Sequence, residues 1–324
     1  MRVVLDRMSE SAWQNGLPPD AAAMQQSWRY GEAAKALGRR VHRAEITTSS
    51  QRVGIAQVLI RPLGRLGQVG LMSRGPIWEP DTSKEMRGRA ISQLRRSLPG
   101  RGLRLLMSTP EDENPGILPL VTGNYVAEVP LLQDLDVMRA ALQGKWRNGL
   151  AKAESAGLRL RLCDRAENLD WLLHLETAQQ KIKRYQNLPA TFLWAWVSCG
   201  PAGYKIYIAY AQGNPVAAML FMIHSPGVTY QIGWTSDAGR QVSAHHLLLW
   251  RAMQDFAKSG ISRLDLGVVD TVTTPGLARF KLGTGADLRK LGPTGLVLPL
   301  PSWSFRRAGK DFESGADPIT IGSN

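Results

Sequence analysis

The alternation of apolar and polar residues predicts a three-stranded meander in the second half of the chain. The predicted strands are YKIYIAY (204–210), PVAAMLFMI (215–223) and VTYQIGWTS (228–236). The residues between them, QGNP and HSPG, are typical of turns. HHLLLWRAMQDFAKSG (245–260) then places apolar residues at helical spacing and ends on a glycine that suits an αL cap. A short strand, SRLDLG (262–267), completes the order of meander, helix and strand.

The first half repeats this order about 160 residues earlier, which is the spacing of domains. Its predicted elements are the strands HRAEI (42–46), RVGIAQVLI (52–60) and QVGLMS (68–73), a helix over about 83–98, and the strand LRLLMS (103–108). The pattern predicts an α/β (α+β) protein with two copies of one unit and a cleft between them. We predict a first domain over 1–134, a second over 135–293, and a tail, 294–324, that packs back on the first domain.

Two further helices carry basic residues on their polar faces. In the stretch 138–162 an apolar stripe of Met138, Leu142, Trp146, Leu150 and Ala153 predicts a helix that links the two domains. Its opposite face carries Lys145, Arg147, Lys152 and Arg159. QQSWRYGEAAKALG (25–38) predicts an opening helix that Ser27 caps, in which Leu37 faces a core and Gly38 ends the helix.

Composition adds a strong positive charge to this picture. The 324 residues include 40 Lys and Arg against 27 Asp and Glu, a formal net charge of +13. That balance favours a polyanionic partner such as tRNA, a nucleotide diphosphate or an anionic membrane surface, although many basic proteins bind none of these. The two cysteines have no metal or redox spacing, and no apolar run suits a signal peptide, so we expect a cytoplasmic protein.

Several stretches, in a fixed order, resemble the Fem family of aminoacyltransferases. They are QSWRYGEAAKALG, GLMSRGPIW, GKWRNGLAKAESAGLRL, TYQIGWTS with AHHLLLWRAM and RLDLG, and GLARFKLGTG. The last is similar to the family's terminal F-K-x-x-[FT]-G motif. The resemblance covers nearly the whole chain, and it implies two tandem GNAT-like acyltransferase domains.

The resemblance also implies an activity, namely transfer of an amino acid from aminoacyl-tRNA to an amine of a peptidoglycan precursor peptide. The expected partners are aminoacyl-tRNA, a UDP-muramyl peptide or lipid-linked precursor, and the inner membrane surface; no cofactor is expected. The motif lysine, linked to catalysis in the family, matches Lys281. By position Lys35 matches a lysine that contacts the acceptor diphosphate, and Arg147 matches a phosphate contact in the linking helix, beside Lys145.

Two stretches depart from the patterns of known acyltransferases. Thr109 stands where Fem proteins often carry an aspartate before a proline, which puts a carboxylate base at that position in doubt. The loop DAGRQVSA (237–244) lacks the R-x-x-G-x-G of coenzyme-A-binding GNAT proteins, although Arg240 precedes a helix and suits a phosphate. The departures weaken both a carboxylate-base mechanism and an acetyl-CoA donor.

The chemistry needs few groups, because aminolysis of an ester requires a free amine, close positioning and a stabilised oxyanion. We predict that Lys281 supplies the cation, in a loop that Phe280 fixes and that Gly283 and Gly285 bring close to a ligand. Asp265, at a strand end, is the candidate for the acceptor amine. A solvated loop lysine and a strand-edge carboxylate are the plain alternatives.

The remaining candidates are weaker. Arg74, before a Gly-Pro turn, points into a cleft or is an ordinary turn residue. Tyr230 is a core residue or lines a cleft. The adjacent pair His245 and His246 cannot both face one metal, so no metal site is predicted.

Two other functions remain open. One is a GNAT-type N-acyltransferase that uses an acyl-CoA or acyl-carrier donor on a small amine. The other is a non-enzymatic basic module that binds tRNA or an anionic surface.

Overall fold

The computed structural model describes residues 1–18, 23–163 and 165–298, which form two mixed sheets with helices around them. The first sheet contains β1 (Arg2–Leu5), β2 (Arg40–Thr47), β3 (Arg52–Pro62), β4 (Gly67–Ser73), β5 (Ile77–Trp78), β6 (Leu103–Thr109), β7 (Ile117–Val121) and β15 (Thr294–Val297). Its order is β1-β2-β3-β4-β6-β15-β7, with β5 paired to β3. Helices α1 (Glu10–Asn15), α2 (Trp28–Ala36) and α3 (Lys84–Ser97) belong to this half.

The second sheet is built from the other strands, in the order β14-β8-β13-β12-β11-β10-β9. They are β8 (Tyr125–Pro130), β9 (Arg159–Cys163), β10 (Tyr204–Ala211), β11 (Asn214–Ile223), β12 (Gly227–Thr235), β13 (Arg263–Val268) and β14 (Asp287–Lys290). The helices of this half are α4 (Leu135–Ala141), α5 (Gly144–Ser155), α6 (Ala166–Lys183), α7 (Ala190–Ser198), α8 (Asp237–Gln241), α9 (Ala244–Lys258) and α10 (Pro275–Leu282).

The predicted meander, helix and strand occur in both halves. β10, β11 and β12 pair antiparallel, α9 follows, and β13 returns parallel to β12. In the first half β2, β3 and β4 pair antiparallel, α3 follows, and β6 returns parallel to β4. The predicted α/β fold with two copies of one unit is therefore confirmed.

The linking and opening helices differ from the prediction in two places. The apolar stripe of the linking region is split between α4 and α5, because Leu142 has extended backbone (ψ 136°). Both segments still bury the stripe, and Trp146 and Leu150 lie in the core of the second unit. In the opening helix Ser27 caps as predicted by accepting a hydrogen bond from the Tyr30 amide, but Leu37 is 41% exposed and does not face a core.

The two units share strands and a core across the predicted boundary after residue 134. β8 lies before that boundary, yet it pairs with β13 and β14 in the second sheet. β15, from the predicted tail, pairs with β6 and β7 in the first sheet, while residues 299–324 lie outside the described residues. One hydrophobic cluster joins Ala33, Ala34 and Val41 of the first unit to α6 and α7 of the second. Burial of this shared surface fixes how the two units meet.

Candidate functional site

The site begins where two parallel strands of the second sheet separate. β12 and β13 pair only at Gly227–Arg263, Val228–Leu264 and Thr229–Asp265, and they diverge beyond those residues. A register shift between Leu220 and Phe221 of β11 lies opposite the point of divergence, and such bulges increase strand twist. The wedge between the strands opens into a cleft.

The cleft has a volume of about 1090 Å³ and receives residues from both units. The wedge contributes residues 229–233 of β12 and 265–268 of β13. The first unit contributes Met24, Gln25, Ser73, Arg74 and Thr109. Pockets for organic ligands usually occupy roughly 300–1,000 Å³, so this cleft has room for an extended substrate.

Lys281 lies on the floor of the cleft, and it stands in α10 rather than in the predicted loop. Its side chain is buried, and its ammonium donates to the Val268 carbonyl oxygen at 2.7 Å. Burial lowers the pKa of Lys281 to about 8, although the Asp265 carboxylate opposes that shift. An ammonium has three N–H donors. Among the described residues only the Val268 carbonyl is found as an acceptor, so donors remain for a ligand.

Asp265 holds a fixed position beside this lysine. One carboxylate oxygen accepts from the Gly267 amide at 2.6 Å, and the other accepts from Arg74 Nη1 at 3.2 Å. Arg74 reaches Asp265 from the end of β4, 191 residues away in sequence, and it is buried. Burial would lower the pKa of Arg74, but Asp265 and Glu111 raise it, so this arginine is charged.

The Arg74–Asp265 pair belongs to a buried ionic network that joins the two units. Arg74 also pairs with Glu111 and Glu128, and Arg289 contacts the same two glutamates. Burial raises the pKa of Glu128, but Arg289 and Arg263 outweigh that effect and lower it to about 2. Removing one member of such a network would leave a buried charge without its partner, which is costly. The ionic pairs therefore hold the residues of the two units in one arrangement at the cleft.

Aromatic rings form the wall near the start of α9. Phe280 lies with its ring centroid 5.2 Å from that of His246 and 6.0 Å from that of Trp146. Tyr230 lines the cleft and packs on Phe221 of the core, so it combines the two predicted alternatives. His245 Nε2 lies 2.8 Å from the Trp234 carbonyl and must donate to it. Burial lowers the pKa of His245 to about 4, so the ring is neutral at pH 7.

Five predicted site residues lie away from the cleft lining. Lys35 is exposed and pairs with Glu32, while Lys145 and Arg147 are exposed on α5. Gly283 and Gly285 allow close packing, but against the linking helices rather than a ligand. A Cβ at Gly283 would lie 2.6 Å from Trp146 Cδ1, and one at Gly285 (φ 80°) would lie 2.7 Å from the Ala141 carbonyl oxygen. Their conformational freedom therefore supports helix packing.

One polar wall of the cleft was not predicted from the sequence. Its centre is Glu176 of α6, which is buried and accepts hydrogen bonds from four side chains. The donors are Tyr185 Oη at 2.7 Å, Asn187 Nδ2 at 3.0 Å, Gln180 Nε2 at 3.2 Å and Gln179 Nε2 at 3.3 Å. The available signal was its spacing, since Leu169, Leu172, Leu173 and Glu176 follow one helical stripe.

This wall also covers part of the open edge of β12. Asn187 Nδ2 donates to the Gln231 carbonyl at 2.9 Å, and Gln179 Nε2 donates to the Gly233 carbonyl at 3.2 Å. Two backbone acceptors of the diverging strand are thus already satisfied by side chains. A ligand in the wedge meets side-chain amides at these positions.

Neither a metal cluster nor a membrane span is found in the described ranges. No group of three or more His, Cys, Asp or Glu side chains there could hold a metal ion. No described helix is both long and apolar enough to cross a bilayer.

Comparison with known proteins identifies the fold. Residues 140–284 match the family model described as an acetyltransferase (GNAT) domain. No curated protein sequence matches the chain significantly. A crystal structure of FemX matches with a TM-score of 0.75 at 12% identity, covering 92% of this chain and 98% of that one.

Two further structures match more weakly. The C-terminal domain of a putative lysylphosphatidylglycerol synthetase from Agrobacterium fabrum gives a TM-score of 0.51 at 13% identity, with 84% and 88% covered. A tandem GNAT protein from the clavulanic acid biosynthesis pathway gives 0.50 at 11% identity, with 93% and 100% covered. The predicted Fem-like tandem GNAT fold is confirmed, and the GNAT domain match confirms the prediction of an acyltransferase.

Proposed function

We propose that the chain is an aminoacyltransferase that moves an amino acid from aminoacyl-tRNA to an amine of a peptidoglycan precursor peptide. The observation that carries the proposal is the buried Lys281 ammonium on the floor of the wedge between β12 and β13. Burying a lysine is costly, and perturbed groups in clefts mark functional sites. The Fem-like fold supports an aminoacyl donor in particular.

The reaction requires one new bond and one broken bond. The acceptor nitrogen attacks the ester carbonyl and forms the amide C–N bond, while the C–O bond to the ribose breaks. The departing ribose oxygen takes a proton that the amine loses, so no other reactant is needed. Negative charge develops on the carbonyl oxygen in the transition state. A preorganised donor at that oxygen accounts for about 2.7–4 kcal/mol of barrier reduction in enzymes.

We assign Lys281 to this oxyanion. Its pKa of about 8 leaves it mostly charged at pH 7, and its bond to Val268 orients the ammonium. Asp265 lies on β13, the strand that also carries Val268, and its carboxylate lines the cleft. We assign Asp265 to the acceptor amine, for which it is a hydrogen-bond acceptor, while Arg74 holds it in place.

The donor is assigned to tRNA rather than to a pantetheine thioester. A pantetheine arm carries amide groups that would pair with the open edge of β12, but Asn187 and Gln179 already occupy two of its carbonyls. The cleft lining includes two cationic side chains, Lys183 and Arg240, of which Arg240 pairs with Asp237. The +13 charge likewise favours a nucleic acid donor. Lys35, Lys145 and Arg147 remain proposed phosphate contacts outside the cleft.

The test is a label-transfer assay with three donors and one acceptor. The full chain is incubated with a UDP-muramyl peptide and with mixed aminoacyl-tRNAs, acetyl-CoA or an acyl-carrier thioester, each labelled in the acyl group. Transfer from aminoacyl-tRNA alone is expected. Transfer from acetyl-CoA instead would establish the GNAT N-acyltransferase alternative. Salt-sensitive tRNA binding without transfer from any donor to the muramyl peptide would favour the non-enzymatic module.

A further inference from the structure

Among the described residues, one face of the first sheet carries exposed apolar side chains. Four residues lie in register across four neighbouring strands: Leu71 opposite Met107, Met107 opposite Leu296, and Leu296 opposite Leu118. Leu71 is 40% and Leu118 is 45% exposed. Side chains alternate along a strand, so Val69 and Leu105 lie on this same face. We call this surface the outer face.

The opposite face of the same strands is a normal core. Met72 of β4 and Leu106 of β6 are fully buried and pack with Ile91 and Leu94 of α3. A sheet with one covered face usually turns polar residues to solvent on the other. Apolar residues lie side by side on these four strands, with Leu71 and Leu118 exposed and Met107 and Leu296 half-buried. They depart from that rule, and apolar surface patches mark interaction sites.

A basic tip adjoins the outer face. The β3–β4 loop contacts the α3–β6 loop, because the Leu103 amide donates to the Leu66 carbonyl at 2.9 Å. Leu66 is 75% exposed on this tip, and Arg61, Arg65 and Arg101 are exposed around it. Residues 46–78 and 86–110 contain ten arginines and no Asp or Glu. Within the described residues, none of the three tip arginines forms a salt bridge.

We propose that the outer face and its basic tip dock on an anionic lipid surface. Exposed leucines enter the interface of a bilayer while arginines beside them bind lipid phosphates. The tip carries cations without local carboxylates, so its charge suits a phosphate-rich layer. β4 and β6 run from this tip to Ser73 and Thr109 in the cleft lining, a distance of about 20 Å at roughly 3.3 Å per residue. Docking of the tip would therefore hold this end of the cleft about 20 Å along the strands from the lipid phosphates.

The experiment measures vesicle binding of the full chain without any acyl transfer, so it is independent of the proposed function. Sedimentation with phosphatidylglycerol–phosphatidylcholine vesicles is compared with pure phosphatidylcholine vesicles, at low and high salt. The triple variant Arg61→Gln, Arg65→Gln and Arg101→Gln should bind the anionic vesicles about 100-fold more weakly. Leu66→Ser with Leu71→Ser should weaken binding at least about tenfold.

The matched control removes three positive charges elsewhere, through Lys181→Gln, Lys258→Gln and Lys290→Gln, which are exposed in the second unit. It should bind nearly as the natural chain does. Replacing the three arginines with lysine should retain most of the binding, which a purely structural role would not explain. Equal losses in control and test variants, or no preference for anionic vesicles, would overturn the proposal. So would a self-association that Leu71→Ser abolishes, because a second copy would then be the occupant.

Discussion

The two sheets differ most at the place where their equivalent parallel strands meet. In the first sheet β4 and β6 stay paired from Gly67–Leu103 to Ser73–Thr109, over seven residue pairs. In the second sheet β12 and β13 stay paired over three pairs and then diverge. The same order of meander, helix and strand thus gives a closed sheet in one unit and an open wedge in the other.

The difference between the two sheets suggests separate functions for the two units. The wedge contains the buried Lys281 and the fixed carboxylate Asp265, so the second unit holds the groups that we propose as reactive. The closed first sheet has no room for a donor between β4 and β6. It instead contributes Arg74 to the cleft and turns an apolar face outward. We infer that the second unit performs the chemistry while the first positions the substrate.

The largest expected effect is the loss of kcat on replacing Lys281. It tests whether the wedge between β12 and β13 is the active site. Lys281→Met should lower kcat about 10²–10³-fold, because it removes one preorganised donor from the oxyanion. Steady-state kinetics with the donor identified by the label-transfer assay would measure this loss. Lys258→Met, an exposed change on α9, is the matched control and should leave kcat unchanged.

A Lys281→Met protein that folds and keeps near-normal turnover would break the comparison. The open wedge would then be a structural difference between the two sheets without a catalytic consequence.

Lys281→Met should also raise the free energy of unfolding. A gain in stability would show that the natural lysine is kept in the wedge at a cost to the fold. The folded-state pKa of about 8 lies below the ordinary value of 10.5, so below pH 8 the native state bears the full cost of burying the charge. That cost is about 3 kcal/mol. Loss of the bond to Val268 offsets about 1 kcal/mol. Lys281→Met should therefore raise the free energy of unfolding by about 2 kcal/mol at pH 7.

Urea denaturation at several pH values would check this prediction. Between pH 8 and 10.5 the unfolded state binds more protons at this residue than the native state does, so the natural chain gains stability from Lys281 as pH rises. The advantage of the methionine variant should shrink across that window. An advantage that stays constant from pH 7 to pH 10.5 would argue against a buried, charged lysine.

Filling the cleft should have the next largest effect. Gly276 lines the cleft in the first turn of α10, and a Cβ there would meet no atom within 4 Å. Gly276→Trp should raise the donor KM by roughly 5- to 150-fold, the equivalent of about 1–3 kcal/mol for overpacking. Gly144→Trp, in the first turn of α5 and equally unobstructed but outside the cleft, is the control. Equal KM values for the two variants would mean that the donor does not enter the wedge.

Much of this fold followed from local pattern. The strands of both meanders alternate or run apolar, and Gly260 ends α9 as predicted, so the repeated order was visible. Lys281, Phe280, Asp265, Arg74 and Tyr230 all line the cleft. Their neighbours in sequence were informative because turns and strand ends have distinctive residues.

The rest depended on contacts between distant residues. Arg74 meets Asp265 only after both sheets form, and no local pattern shows that β12 diverges from β13 near a register shift with β11. α6 was missed because its buried stripe includes a carboxylate, Glu176, where an apolar residue is expected. Lys281 was placed in a loop because the glycines after it suggested a turn, whereas Gly283 packs on Trp146.

The smallest expected effect concerns Lys35 of the first unit. The family resemblance assigns Lys35 to the acceptor diphosphate, but its side chain is exposed, pairs with Glu32 at 3.0 Å, and lies away from the cleft lining. An exposed ionic contact is worth about 0.2–1 kcal/mol, so Lys35→Met should raise the acceptor KM no more than about fivefold. The kcat should not change, because a phosphate contact is equally strong in the ground and transition states.

Lys84→Met, exposed on α3 of the same unit, serves as the control and should change neither constant. A rise in KM beyond about 100-fold would show a strong acceptor site on the first unit outside the shared cleft. The division between a reactive wedge and a positioning sheet would then have to include a second binding site.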